Sequence, residues 1–146
     1  LNLKRQSISS KKYLAGSEIK DMNAFLAMAK SNNSDFEDST IDFLARIYGT
    51  EYNEILQIAR SNEKYAVKVN PDGEMPAQVV YAIRHEMART LSDILLRRTG
   101  IGTLGYPGDE VLKMIADIAA EELNWSETTK EHELFLAKQL FIIPEN

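Results

Sequence analysis

Apolar residues recur along this chain at three- and four-residue steps, the period of an amphipathic helix. Ile19, Met22, Phe25, Leu26 and Ala29 make a first stripe, with Ser17 placed to cap its start and "SNNSD" (31–35) to break it. Ile41, Leu44, Ile47 and Tyr48 make a second, ended by Gly49. Thr50 is placed to cap a third helix, with Glu51 and Glu54 in its first turn and Tyr52, Ile55, Leu56 and Ala59 on its apolar face. Residues 62–76 are irregular, with a turn signal at Pro71-Asp72-Gly73. Pro76 suits a first helical position. Val80, Ile83, Met87, Leu91, Ile94 and Leu95 then predict one continuous helix to about Arg98. "TGIGTLGYPG" (99–108) reads as a loop, and Asp109 as the cap of a helix carrying Val111, Leu112, Ile115, Ile118 and Ala119. Beyond "NW" and Ser126 a last helix runs to about Phe141. Its apolar residues, Leu134, Leu136, Ala137, Leu140 and Phe141, lie on more than one side, which predicts a central position.

No strand alternation sustains a sheet, since "AVKVN" (66–70) is too short to carry one. The pattern predicts an all-α fold, a single compact domain of about six helices. At 146 residues the chain is long enough to build its own core. A net charge of −5 argues against a general nucleic-acid binder, including a helix-turn-helix DNA reader, because such affinity comes from Lys and Arg neutralising phosphates. With no cysteine, disulfides, thiolate metal sites and thiol catalysis drop out, which suits a reducing compartment. The longest apolar patch, "LFLAKQLFII" (134–143), is interrupted by Lys138 and Gln139 and is too short to cross a bilayer. The basic, polar start at Leu1 reads as a cut through a larger protein.

Several motifs invite chemistry. Gly100, Gly102 and Gly105 fall at G-x-G-x-x-G, the spacing that holds a dinucleotide pyrophosphate when a strand turns into a helix N-terminus. Here a predicted helix precedes the glycines, and the acid Asp109 opens the next helix, so the expectation is an inter-helix loop whose glycines supply left-handed conformations. "HEMAR" (85–89) has Arg89 where a zinc-protease helix needs its second histidine. His132 is the other histidine; a two-histidine site stays open, but the spacing does not point to one. "DFED" (35–38) with Asp42 lacks the glycine of a calcium loop. Glu86, Arg89, Asp93 and Arg97 are spaced for i,i+3 and i,i+4 pairs on one helix face, and Arg97-Arg98 would sit favourably at a helix C-terminus. No catalytic, cofactor-binding or metal-ligating residue is assigned.

The stretch "VVYAIRHEMARTLSDILLRRTGIG" (79–102) is more specific. Tyr81-Ala82-Ile83-Arg84, Glu86, Met87-Ala88-Arg89-Thr90, Asp93, Leu95 and Arg97-Arg98-Thr99 resemble a helix in the C-terminal helical domain of FAD-dependent glycerol-3-phosphate dehydrogenases. "FLARIYGTEYNEILQIAR" (43–60) and "YLAGSE" (13–18) resemble segments of the same domain, so the likeness covers residues 13 to 141. One departure is Gln78, which stands where that family has a glutamate. The resemblance implies that residues 1–16 link to a catalytic body and that 17–146 form the accessory domain. It implies a parent that oxidises sn-glycerol 3-phosphate to dihydroxyacetone phosphate, with FAD and substrate held in the N-terminal body and electrons passing to quinone. The parent is then expected at the cytoplasmic face of a membrane, and this chain is expected to be inactive alone and to hold no cofactor. Its implied partner is that catalytic body, met through an ordered polar network of Arg84, Glu86, Arg89, Asp93, Arg97 and Arg98. The alternative from the residues alone is a free-standing helical protein–protein interaction module.

Overall fold

A computed structural model describes residues 16–142, together with Lys12 and Leu14. The expected linker, residues 1–16, lies mostly outside the described residues. The fold is all-α, as the periodicity predicts, with six helices of ten residues or more among the described residues and no strand. Contacts gather into two compact units, residues 1–53 and 54–146.

In the first unit, α1 (Met22–Asn32) packs against α2 (Asp38–Tyr48). Leu26 and Ala29 of α1, and Ile41, Leu44 and Ala45 of α2, are buried. The start of α1 is capped by Asp21 rather than Ser17: the Asp21 carboxylate accepts from the Asn23 and Ala24 amides at 2.9 and 3.1 Å. A carboxylate there answers the helix dipole as well as the orphan amides. Ser17 instead donates its hydroxyl to the Leu14 carbonyl. Gly49 ends α2 as expected, at φ 54° and ψ −134°. Thr50 is no cap, because residues 49–51 form a 3₁₀ turn before α3 (Tyr52–Ser61) and the Thr50 amide donates to the Gly16 carbonyl at 3.2 Å. Phe25 meets the Tyr52 ring edge-on at 5.6 Å.

In the second unit, α4 (Pro76–His85) starts with proline at its first position and is buried on every side from Pro76 to Ile83. Gln78 accounts for the departure noted above: its side-chain oxygen accepts the Met75 amide at 2.9 Å, closing the helix start as a glutamate at that position would. The long helix expected to reach Arg98 does not form. It breaks after His85 and resumes as α5 (Leu91–Asp93), which runs into a π turn over Ile94–Arg98. α6 (Asp109–Leu123) contacts both α4 and α7 (Glu127–Gln139). Gly108, not Asp109, is the cap residue of α6, and Asp109 is already helical. Ser126 caps α7, accepting from the Thr129 amide. The central position expected for α7 belongs to α4. Ala137 is the buried residue of α7, while Phe135, Leu136 and Leu140 are exposed. Its polar residues outnumber its apolar ones on too many sides for it to be enclosed.

Candidate functional site

The break at Glu86–Thr90 falls inside the most distinctive stretch of the sequence. Two caps explain why the helix stops there. The Ala82 carbonyl accepts the amides of both Glu86 (3.1 Å) and Ala88 (3.0 Å), wrapping the chain back over the last turn of α4. That wrap requires Met87 at φ 58°, the left-handed region. Thr90 and Asp93 then start α5 with a capping box: the Asp93 amide donates to the Thr90 hydroxyl at 3.0 Å, and the Thr90 amide donates to the Asp93 carboxylate at 3.2 Å. Glu133 of α7 adds a further acceptor, taking the Leu91 amide at 2.8 Å. Periodicity sees only the apolar positions on either side, which keep helical spacing across the break. The T-x-x-D signature of the second cap was present in the sequence, overruled by that stripe.

The six charged residues expected to line one helix face are therefore divided by the elbow. Arg84 makes a two-pronged ion pair to Glu122 of α6, at 2.6 and 2.7 Å. Asp93 serves its own helix start and pairs with Arg97 at 3.0 Å. Burial pushes the Asp93 carboxyl up, but the Thr90 hydrogen bond, the Arg89 and Thr90 amides and the Arg97 charge together hold it below the usual range. Glu86 is half-buried, and its Oε2 is buried with no hydrogen-bond partner among the described residues. Burial raises its pKa, opposed by the charges of Arg98 and His85. Arg89, Arg97 and Arg98 are exposed. Because the Arg84 guanidinium is half exposed, Arg84→Ala is expected to cost only about 1 kcal/mol in urea unfolding, and less in high salt.

Glycine spacing at 100–105 has a different basis from the one expected. Of the three, Gly105 alone has positive φ, at 127°. Gly100 and Gly102 are glycines for want of space. A Cβ on Gly100 would lie 2.4 Å from Glu74 Oε1, and one on Gly102 would lie 3.1 Å from Leu95 and Phe141. The loop follows a π turn rather than a strand, and α6 beyond it opens with Asp109 and Glu110. Tyr106 and Lys138 hold Asp109 in place. These residues do not fit the pyrophosphate of a flavin, which needs bare amides and room for close backbone approach. The DFED acids do not converge either: Asp42 is paired with Lys30 and Arg46. Among the described residues no group of three or more His, Asp or Glu could hold a metal ion. No helix among them is long and apolar enough to cross a membrane.

Glu74 is a residue that no sequence pattern singles out. It is 2% exposed. The Asn70 side chain donates to Oε2, and the Gly100 amide faces the carboxylate, although Oε1 completes no hydrogen bond of good geometry. The group thus ties the irregular segment before α4 to the loop after the π turn. A lone glutamate in a polar loop carries no signal of burial.

The family model for the C-terminal domain of alpha-glycerophosphate oxidase matches residues 7–130. The mitochondrial glycerol-3-phosphate dehydrogenase of Mus musculus is 32% identical over 121 residues, covering 79% of this chain and 16% of that protein. Glycerol-3-phosphate dehydrogenase of Synechocystis is 32% identical over 117 residues, covering 78% of this chain and 21% of its own length. An aerobic glycerol-3-phosphate dehydrogenase of Staphylococcus epidermidis is 33% identical over 91 residues, or 60% of this chain and 16% of its own length. No solved structure matches. The chain thus spans about a fifth or less of the length of these relatives, and a free-standing interaction module is not favoured. With the family model matching well over half of its residues, the chain belongs to the family of C-terminal domains of alpha-glycerophosphate oxidase.

Proposed function

We propose that this chain is the accessory C-terminal domain of an FAD-dependent glycerol-3-phosphate dehydrogenase. The parent reaction converts sn-glycerol 3-phosphate and quinone to dihydroxyacetone phosphate and quinol. The observation that carries the reading is the family match over residues 7–130. Residues 1–16 serve as the linker and 17–146 as the accessory domain. The flavin and the substrate belong to the N-terminal catalytic body, since the glycine loop of this chain does not suit a pyrophosphate. The parent works at the cytoplasmic face of a membrane, as delivery of electrons to quinone requires access to one.

The domain's role is structural: it packs on the catalytic body, and the elbow carrying Arg89, with Arg97 and Arg98 of the π turn beyond it, faces that junction. Arg84 and Asp93, engaged within the domain, support the elbow from behind, and Glu86 lies under it. Titrating FAD into the purified chain is expected to show no binding and no dye reduction with glycerol 3-phosphate. Tight, stoichiometric flavin would overturn the reading. In the full enzyme, Arg89→Glu is expected to lower activity or melting temperature, because its side chain has no role in capping that a structural loss could hide behind. If both stay unchanged, the junction lies elsewhere.

A further inference from the structure

Among the described residues, three places follow a long helix with a left-handed residue. Gly49 (φ 54°) follows α2, Asn124 (φ 55°) follows α6, and Met87 (φ 58°) comes just after α4. Glycine and asparagine are the residues that tolerate this conformation. Methionine is not, since its Cβ crowds the neighbouring carbonyl. Nothing within the domain rewards the choice, because the Met87 side chain is 76% exposed, the most exposed methionine among the described residues. The chain therefore holds an apolar side chain out into solvent from a strained backbone, where glycine would serve the fold better. Strain of this kind persists where the side chain is used.

We infer that Met87 is the anchor by which this domain seats on the rest of its parent enzyme. The occupant is an apolar socket with an acidic rim on the catalytic body. The relatives supply the room for such a body, since the chain covers only 16% of the Mus musculus protein. The rim follows from charge. Met87 is flanked by exposed His85 and Arg89, and exposed Arg97 and Arg98 lie in the π turn beyond α5. Arg89 thus places positive charge beside Met87, a local attraction for an acidic rim that works against the chain's net charge of −5. A flexible thioether suits an irregular socket, and a small central apolar contact ringed by charge is the usual build of a binding hot spot. The inference rests on the proposed accessory role, and its test is chosen to separate the two.

The full-length parent, treated with dilute peroxide and read by mass spectrometry, reports the exposure of each methionine through its oxidation rate. Met87 is expected to oxidise at least tenfold more slowly in the intact parent than in the same protein unfolded. Met22 and Met28, 39% and 54% exposed in the domain, are the comparison. A Met87 rate close to the unfolded rate overturns the anchor. If Met22 and Met28 are then the slowed pair, the domain is docked by another face and the accessory role survives. If none of Met22, Met28 and Met87 is slowed and protease separates the domain from the body without delay, the accessory role falls too. Protection of Met87 that appears only on concentrating the enzyme means a second copy covers it, which also overturns the anchor. In the same parent, Met87→Gly is expected to speed protease release of the domain several-fold while leaving amide protection in α4 and α6 unchanged or higher. Met87→Leu should behave as wild type. Equal release rates for all three sink the proposal.

Discussion

Gly49→Ala is expected to destabilise the chain by about 3 kcal/mol or more, read as a lowered urea midpoint with an unchanged slope. Two effects add. At φ 54° and ψ −134° the backbone lies where L-residues are strained, which costs about 1–3 kcal/mol. A Cβ at this position would also sit 1.7 Å from the carbonyl oxygen of Gly16, so the two backbone segments must part. That movement breaks the bond from the Thr50 amide to the same carbonyl. The crossing is reciprocal, because a Cβ on Gly16 would lie 2.7 Å from the Tyr48 carbonyl oxygen. Gly105→Ala provides the control. Its φ of 127° is equally unsuited to alanine, but nothing lies within 4 Å, so it should show the conformational cost alone. If Gly49→Ala costs no more than Gly105→Ala, the close approach of Gly16 and Gly49 is not as described.

The second large effect concerns Glu74 and pH. Burial raises the pKa of this carboxyl, and Asp72 adds to the rise, against the Asn70 hydrogen bond and the Gly100 amide. The folded state therefore holds the proton more tightly than the unfolded state. For a raised carboxyl, the stabilising contribution is fully present below the unfolded value of 4.5 and is lost as pH rises through the higher folded value. Stability should thus fall on the alkaline side of 4.5. Glu86 is raised by burial as well and adds in the same direction. The lowered aspartates act in a separate window. Asp93 and Asp117 stabilise above 3.8 and lose that contribution as pH falls through their folded values. Glu74→Gln removes one titration and should flatten the curve above pH 4.5. At pH 8 the variant is expected to exceed wild type by about 1–3 kcal/mol, the penalty of a buried group left incompletely bonded. Near pH 4 the two should converge. Parallel curves for wild type and Glu74→Gln would show that Glu74 does not titrate differently on folding.

Sequence and structure part company at identifiable places. The positions of α2, α3, α6 and most of α4 follow from apolar spacing and from local signals such as Gly49 and Pro76. Each of those signals lies within a few residues of what it controls. The elbow at Met87 was hidden because Leu91, Ile94 and Leu95 keep helical spacing relative to Val80 and Ile83. Apolar spacing alone does not distinguish one helix from two that share a buried face, and the break is signalled only by the cap residues Thr90 and Asp93. The single helix face on which the junction residues were expected is divided for the same reason. Arg84 instead meets Glu122, thirty-eight residues away in sequence. The misplaced centrality of α7 has another source. Apolar residues on several sides of α7 do not reveal that α4, with buried residues on every side, fills the interior of the second unit.

By itself, then, the sequence determined the helical class, most helix positions, the lack of thiol chemistry and the family likeness, because each depends on residue identity and local spacing. Only the tertiary structure decided that Gly100 exists to admit Glu74, that Glu133 caps a helix from another element, and that Met87 stands strained and exposed at a break. Those facts depend on which segments meet in space. Burial, backbone strain and the loss of water around a charge arise only when they meet.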